Sequence, residues 1–150
     1  MSLSTPSTIL QEQRIKLFVV DDDALYLKLL ESQFAENPLI DVVPFSSGEE
    51  CLNQLHLRPD IIVLDYFLNG KNKEARDGLS ILAEIKKTNP RIQVIMLSSH
   101  ENVEIAMNCI RTDAFNFIVK NETTFIRLKH TIKQIFHQYS KVKELLVWDW

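Results

Sequence analysis

A chain of 150 residues, with 45% hydrophobic and 25% charged side chains and only 3 glycines and 5 prolines, has ordinary soluble composition and length enough for one well-buried core. Its formal net charge of -3 argues against nucleic-acid binding, since Lys129, Lys133, Lys141 and Lys143 make only the C-terminal region basic, as on a solvated helix face. No apolar run approaches the roughly 18 residues of a membrane helix, and Met1-Ser2-Leu3-Ser4-Thr5-Pro6 lacks the regions of a signal peptide, so a cytoplasmic protein without membrane contact is expected.

Residues 1–13 read as a flexible N-terminal segment. Ile15-Lys16-Leu17-Phe18-Val19-Val20 is a short apolar, partly β-branched run that ends in three carboxylates, as a buried parallel strand ends at a site-bearing edge. Asp23 is placed to cap the next helix, where Leu27, Leu30 and Phe34 recur at helical spacing until Asn37-Pro38. A second strand follows over 39–45. Ser47 and Glu50 have capping-box spacing ahead of Cys51, Leu52 and Leu55, which share a helix face.

Asp60-Ile61-Ile62-Val63-Leu64-Asp65 has the continuous β-branched character of a central strand covered on both faces. Beyond a polar stretch, residues 78–87 are predicted helical and 92–97 form a fourth strand. Val103, Ala106, Met107 and Ile110 mark a fourth helix, 115–119 a fifth strand, and Phe125, Leu128, Ile132 and Phe136 a fifth helix. Residues 139–150 read as a C-terminal extension or truncated linker, with the apolar Leu145-Leu146-Val147-Trp148-Asp149-Trp150 at its end. Cys51 and Cys109 have no CxxC or Cys/His neighbour at metal-ligand spacing and read as buried reduced thiols.

Five strand-helix alternations imply an α/β fold, a doubly wound five-stranded parallel sheet with helices on both faces. In such sheets the functional crevice lies beyond the carboxyl ends of the strands. That selects Asp21-Asp22-Asp23, Asp65, Ser98-Ser99-His100 and Lys120. Carboxylates converging at strand ends repel unless a cation neutralises them, and their oxygens suit Mg²⁺ or Mn²⁺. A small octahedral ion takes one or two carboxylates and completes its shell with water and substrate phosphate, so the pattern points to phosphoryl chemistry with Asp65 as nucleophile. Lys120 and the Ser98 hydroxyl would then stabilise the transferring oxygens. Asp23 reads as a helix cap only, and Ser99 serves equally as a cap for the helix near Glu101.

Val19-Val20-Asp21-Asp22, Ile62-Val63-Leu64-Asp65, Asp77-Gly78, Met96-Leu97-Ser98-Ser99 and Phe117-Ile118-Val119-Lys120 resemble the receiver domain of two-component response regulators, over residues 14–138. The resemblance implies the flavodoxin-like receiver fold and a metal site of Asp21, Asp22, Asp65 and the backbone carbonyl of Phe67. It implies that Asp65 accepts phosphate from a sensor histidine kinase or histidine phosphotransfer protein. Ser98 and Phe117 then form the switch, Lys120 bridges to the phosphoryl group, and Ser99 and His100 flank the pocket. A downstream protein or output domain reads the face of helix four, strand five and helix five, which is also a dimer surface by resemblance. The chain would be a phospho-acceptor that assists its own transfer and dephosphorylation, not a turnover enzyme.

The sequence departs from that family in three places. Asp77 stands twelve positions after Asp65, a longer span than usual and without the usual proline. The added polar segment, Asn69-Gly70-Lys71-Asn72-Lys73-Glu74-Ala75-Arg76, reads as an ornament, with donor steering or pocket gating as alternatives. Asn121 follows Lys120 where proline is usual, so a cis peptide there is not assumed. Phe67 beside the pocket would exclude attacking water and slow autodephosphorylation. The rival reading is a non-phosphorylated pseudo-receiver acting as an interaction module, opposed by retention of the key positions. A flavodoxin-type electron carrier lacks its phosphate-cradling turn here, and a haloacid-dehalogenase-type phosphatase would need Asp-x-Asp after the first strand.

Overall fold

The computed structural model describes residues 14–70 and 73–139. Five strands form one parallel sheet: β1 (Ile15–Val20), β2 (Ile40–Phe45), β3 (Ile61–Asp65), β4 (Gln93–Ser98) and β5 (Asn116–Val119), in the order β2-β1-β3-β4-β5. The helices are α1 (Ala24–Ala35), α2 (Gly48–Asn53), α3 (Gly78–Thr88), α4 (Val103–Arg111) and α5 (Thr124–Tyr139), with a 3-10 turn at Leu55–Leu57. The doubly wound arrangement expected from the alternation is therefore present.

Side-chain alternation sorts the core into two layers. Leu17 and Val19 of β1, Val63 of β3 and Leu97 of β4 pack with Leu30 and Phe34 of α1 and Leu128 and Ile132 of α5. Phe18, Ile62, Leu64 and Met96 pack on the other face with Cys51, Ile81, Leu82, Ile85 and Cys109, which belong to α2, α3 and α4. β3 is buried along its whole length, as its unbroken apolar sequence requires. Each such side chain contributes about 1.5–3 kcal/mol by leaving water. Pro44 is tolerated because β2 is an edge strand.

Asp23 accepts hydrogen bonds from the amides of Leu25 and Tyr26 and so caps α1 as expected. Ser47 caps α2 through the Glu50 amide, while the Glu50 carboxylate takes the Ser46 hydroxyl. Asp77 caps α3 through the Ser80 amide. The cap of α4 is Asn102, through the Ile105 amide, and not Ser99.

Other details also correct the sequence reading. α2 stops at Asn53, so Leu55 belongs to the 3-10 turn. β4 begins one residue later than expected because the Ile92 amide is bonded to the Asn89 carbonyl in the preceding turn. In α4, Val103, Met107 and Ile110 face solvent, while Cys109 is buried and Ile105 packs against the core. Cys51 and Cys109 are free and buried, and burial pushes their thiols up to about 12 and about 11, so neither is a thiolate at neutral pH.

Candidate functional site

The strand order turns back on itself around β1, and the crevice beyond the ends of β1 and β3 is where the connecting chains part to opposite faces. Asp21 immediately follows β1, and its amide donates to the Phe45 carbonyl at 3.1 Å. Its side chain is almost fully buried, with Oδ1 accepting from the Asp23 amide at 2.9 Å and Oδ2 from Lys120 Nζ at 2.8 Å. Asp65 ends β3 and is 4% exposed, and the Tyr66 amide that follows donates to the Leu97 carbonyl of β4.

Asp77-Gly78 has a structural purpose here. The Gly78 amide donates to the Tyr66 carbonyl at 2.7 Å, drawing the first turn of α3 against the backbone beside Asp65. A Cβ at Gly78 would come within 2.4 Å of the Asp65 carbonyl oxygen and 2.6 Å of Tyr66 Cα. Gly78→Ala is therefore expected to destabilise the domain by about 2–4 kcal/mol. Chemical denaturation checks the loss, and a midpoint equal to that of the native protein would show that α3 moves away freely.

Asp21, Asp22 and Asp65 bring carboxylate oxygens within 4.8 Å of one another. Lys120, carried past β5, lies 3.1 Å from Asp65 Oδ1 as an ion pair. Asp65 Oδ1 is a buried oxygen whose partner among the described residues is the Lys120 ammonium. Burial and, after it, the Asp21 charge push the Asp65 carboxyl up to about 7 despite Lys120. Burial likewise raises the Asp21 carboxyl against the pull of Lys120. Burial opposes the lysine charge, yet the two carboxylates outweigh it and raise Lys120. One lysine therefore leaves three carboxylates under-neutralised, and their three oxygen donors fit a hard divalent cation.

This arrangement fixes the pH response of the metal-free domain. A carboxyl whose folded pKa is raised stabilises the fold below its unfolded value near 3.8 and loses that contribution as pH rises through about 7. Asp21 acts in the same direction. Thermal midpoints in the absence of divalent cation are expected to fall between about pH 4 and pH 7, and saturating Mg²⁺ should flatten the decline. Parallel curves with and without Mg²⁺ would contradict the assignment.

Ser98, at the end of β4, is buried with its hydroxyl turned along its own loop, accepting from the His100 amide at 3.1 Å and donating to the His100 carbonyl at 3.2 Å. Phe117 is half-buried and packs against the layer that carries α2, α3 and α4. Ser99 is exposed, its hydroxyl 3.1 Å from His100 Nδ1. The His100 ring meets the Phe67 ring edge-on at 4.8 Å, and Phe67 meets Tyr66 at 4.9 Å. The structure therefore brings Asp21, Asp22, Asp65 and Lys120 together, with the Ser98 carbonyl accepting the Lys120 amide at 2.8 Å while the Ser98 hydroxyl turns to its own loop.

Tyr26 was not foreseen. Its ring lies under Lys120 Nζ at 4.2 Å and stacks on Phe125 at 6.4 Å, which steadies the lysine stem from α1. No cis peptide occurs among the described residues. After Lys120, the Asn121 side chain accepts from the Thr123 amide and the Thr124 hydroxyl donates to the Asn121 carbonyl, closing the turn without proline. The added loop is pinned at its end: the Arg76 amide donates to Glu49 at 2.9 Å and its guanidinium to Ser80.

The sequence model for the response regulator receiver domain matches residues 17–133. The protein-glutamate methylesterase/protein-glutamine glutaminase of Clostridium acetobutylicum is 32% identical over 136 residues, covering 86% of this chain and 38% of that protein. The DNA-binding transcriptional regulator NtrC of Escherichia coli is 31% identical over 109 residues, 72% of this chain and 22% of that protein. The chain thus spans well under half the length of these relatives. Among solved structures, the BeF3-activated DrrB receiver domain superposes with a TM-score of 0.67 at 28% identity, covering 80% of this chain and 98% of that one. Among the described residues no helix is long and apolar enough to cross a membrane.

Proposed function

Since the chain belongs to the response regulator receiver domain family, we propose that it is a phospho-acceptor switch in which Asp65 takes a phosphoryl group from a histidine kinase or histidine phosphotransfer protein. The observation that carries this reading is the buried Asp65 carboxylate, which converges with Asp21 and Asp22 and has Lys120 at 3.1 Å from its Oδ1. Asp21, Asp22, Asp65 and the Phe67 carbonyl would hold Mg²⁺ or Mn²⁺, which would supply charge neutralisation on the phosphoryl oxygens.

Asp65 attacks phosphorus in line, the new oxygen–phosphorus bond forms an acyl phosphate, and the bond to the donor imidazole nitrogen breaks with its electron pair left on that nitrogen. Lys120, already 3.1 Å from the nucleophile, pairs with an equatorial oxygen as charge develops there. Phe67, held edge-on between Tyr66 and His100, covers one flank and limits the approach of hydrolytic water. The chain's own part is thus to accept, hold and slowly release phosphate.

Readout requires the Ser98 hydroxyl to leave the His100 carbonyl and donate to the phosphoryl group. That movement draws the β4–α4 loop inward and opens space for Phe117, shifting the population of the α4-β5-α5 face. The exposed apolar residues Val103, Met107 and Ile110 on α4 support this face as the one a downstream protein, an output domain or a second copy reads.

Amide hydrogen exchange before and after treatment with a small phosphodonor and Mg²⁺ tests the switch. Phosphorylated native protein is expected to change exchange in β4, α4 and β5, whereas Ser98→Ala should take up phosphate without that change. Unaltered exchange in fully phosphorylated native protein would sink the proposal.

A further inference from the structure

The ammonium of Lys120 meets two kinds of partner. Asp21 Oδ2 at 2.8 Å and Asp65 Oδ1 at 3.1 Å are charged, whereas the Tyr26 ring, with its centroid 4.2 Å from Nζ, is not. Tyr26 is half-buried in the first turn of α1, and its ring stacks on Phe125 at 6.4 Å with the planes 19° apart, so α1 and the first turn of α5 together fix its orientation. Burial raises its phenol above the ordinary value, against the pull of Lys120 and a side-chain hydrogen bond with Thr124, and the ring stays neutral at physiological pH.

A divalent cation affects the two kinds of partner differently. Asp21 belongs to the carboxylate group that fits the ion, so a bound cation draws on the same negative charge that holds the lysine. The aromatic face has no such competitor, because a hard ion takes oxygen donors while an ammonium is attracted by the ring quadrupole. Resting on the phospho-acceptor reading above, we infer that Tyr26 is a positioning residue for phosphoryl transfer, its ring seating the Lys120 ammonium beside Asp65 once the cation has taken hold of Asp21.

The backbone around Lys120 gives a second support. Its amide donates to the Ser98 carbonyl at 2.8 Å, and in the turn that follows the Thr124 hydroxyl accepts from the Asn121 amide at 2.8 Å and donates to the Asn121 carbonyl at 2.8 Å. These bonds hold the chain on both sides of the lysine and leave its four-carbon stem to be placed by whatever touches the ammonium. Solvent reaches 17% of that side chain, so a lysine released by Asp21 has water to turn towards unless the ring retains it.

Tyr26→Phe keeps the ring face and removes the hydroxyl, whereas Tyr26→Leu keeps apolar bulk and removes the face. With a small phosphodonor at saturating Mg²⁺, Tyr26→Leu is expected to slow phosphorylation about 10-fold and Tyr26→Phe to stay within about 2-fold of native. Combined with Lys120→Ala, the leucine substitution should add no more than about a 2-fold loss, since a seat without its occupant contributes nothing. An equal loss with and without the lysine would show that Tyr26 acts through the fold and overturns the inference. A readout independent of activity is the proton resonance of the Lys120 ε-methylene in isotope-labelled protein. The ring should shift it upfield in the native chain and in Tyr26→Phe, with and without Mg²⁺, and the shift should vanish in Tyr26→Leu; this measurement on the native chain decides the matter should the leucine variant fold poorly. Loss of the shift from the native chain on adding Mg²⁺ overturns the inference. Phosphate uptake by the native chain with an equal rate in Tyr26→Leu overturns the inference alone, whereas no uptake by the native chain overturns the phospho-acceptor reading and the inference with it.

Discussion

Asp65→Asn is expected to abolish phosphate uptake while making the metal-free domain more stable at neutral pH. Both effects have one cause. The Asp65 carboxyl is held up at about 7 by burial first and by Asp21 second, so at neutral pH part of the population carries a charge that the fold disfavours. The amide has nearly the same shape and no charge, and its oxygen is placed to face Lys120. A gain of about 1–3 kcal/mol follows, discounted from the full pKa displacement because Lys120 loses a partner in the exchange. Thermal melts in chelator check the gain, and it should shrink as pH falls towards 4, where the native carboxyl is protonated. A variant less stable than native at pH 7.5 would show that Lys120 already satisfies Asp65.

Lys120→Ala has the opposite sign on stability and shares the functional loss. Without its ammonium, Asp21, 1% exposed and bonded to Lys120 at 2.8 Å, and Asp65 are left facing each other with no counter-charge. The metal-free domain should lose about 2–4 kcal/mol at neutral pH, limited because the carboxyls then protonate. Mg²⁺ should restore most of that loss, a larger gain than the native domain shows. Phosphorylation by a small donor should slow about 100-fold, the usual consequence of removing one positioned charge from developing oxyanions. Melts with and without Mg²⁺, together with initial phosphorylation rates, separate these effects. Equal stability of variant and native protein in chelator would show that the carboxylates do not depend on the lysine.

The strands and the carboxylate-bearing end of the sheet were legible because they combine two independent signals. Continuous apolar runs such as Ile61–Asp65 can be satisfied only by burial on both faces, and each run ends on a polar residue that a parallel sheet must place at the same edge. Helix facing was less legible. Val103, Met107 and Ile110 have helical spacing and point to solvent, because periodicity identifies a stripe without saying what covers it. Tyr26 under Lys120 was illegible for another reason: the contact joins α1 to the end of β5, and no local pattern encodes so long-range a pairing. The Ser98 hydroxyl bonded within its own loop is likewise a rotamer choice that strand position does not dictate. Gly78 carried its signal openly, yet only the approach of α3 to the Asp65 backbone shows why a side chain is excluded there.

Phosphorylation of Asp65 is tested most directly by the intact mass of the native chain after incubation with a small phosphodonor, with Mg²⁺ and with chelator, alongside Asp65→Asn. The expected result is a single phosphate adduct on the native chain that requires Mg²⁺ and is absent from the variant. A folded native chain that takes up no phosphate with Mg²⁺ present, or an adduct that persists in Asp65→Asn, would contradict it and leave the domain as a protein-interaction module.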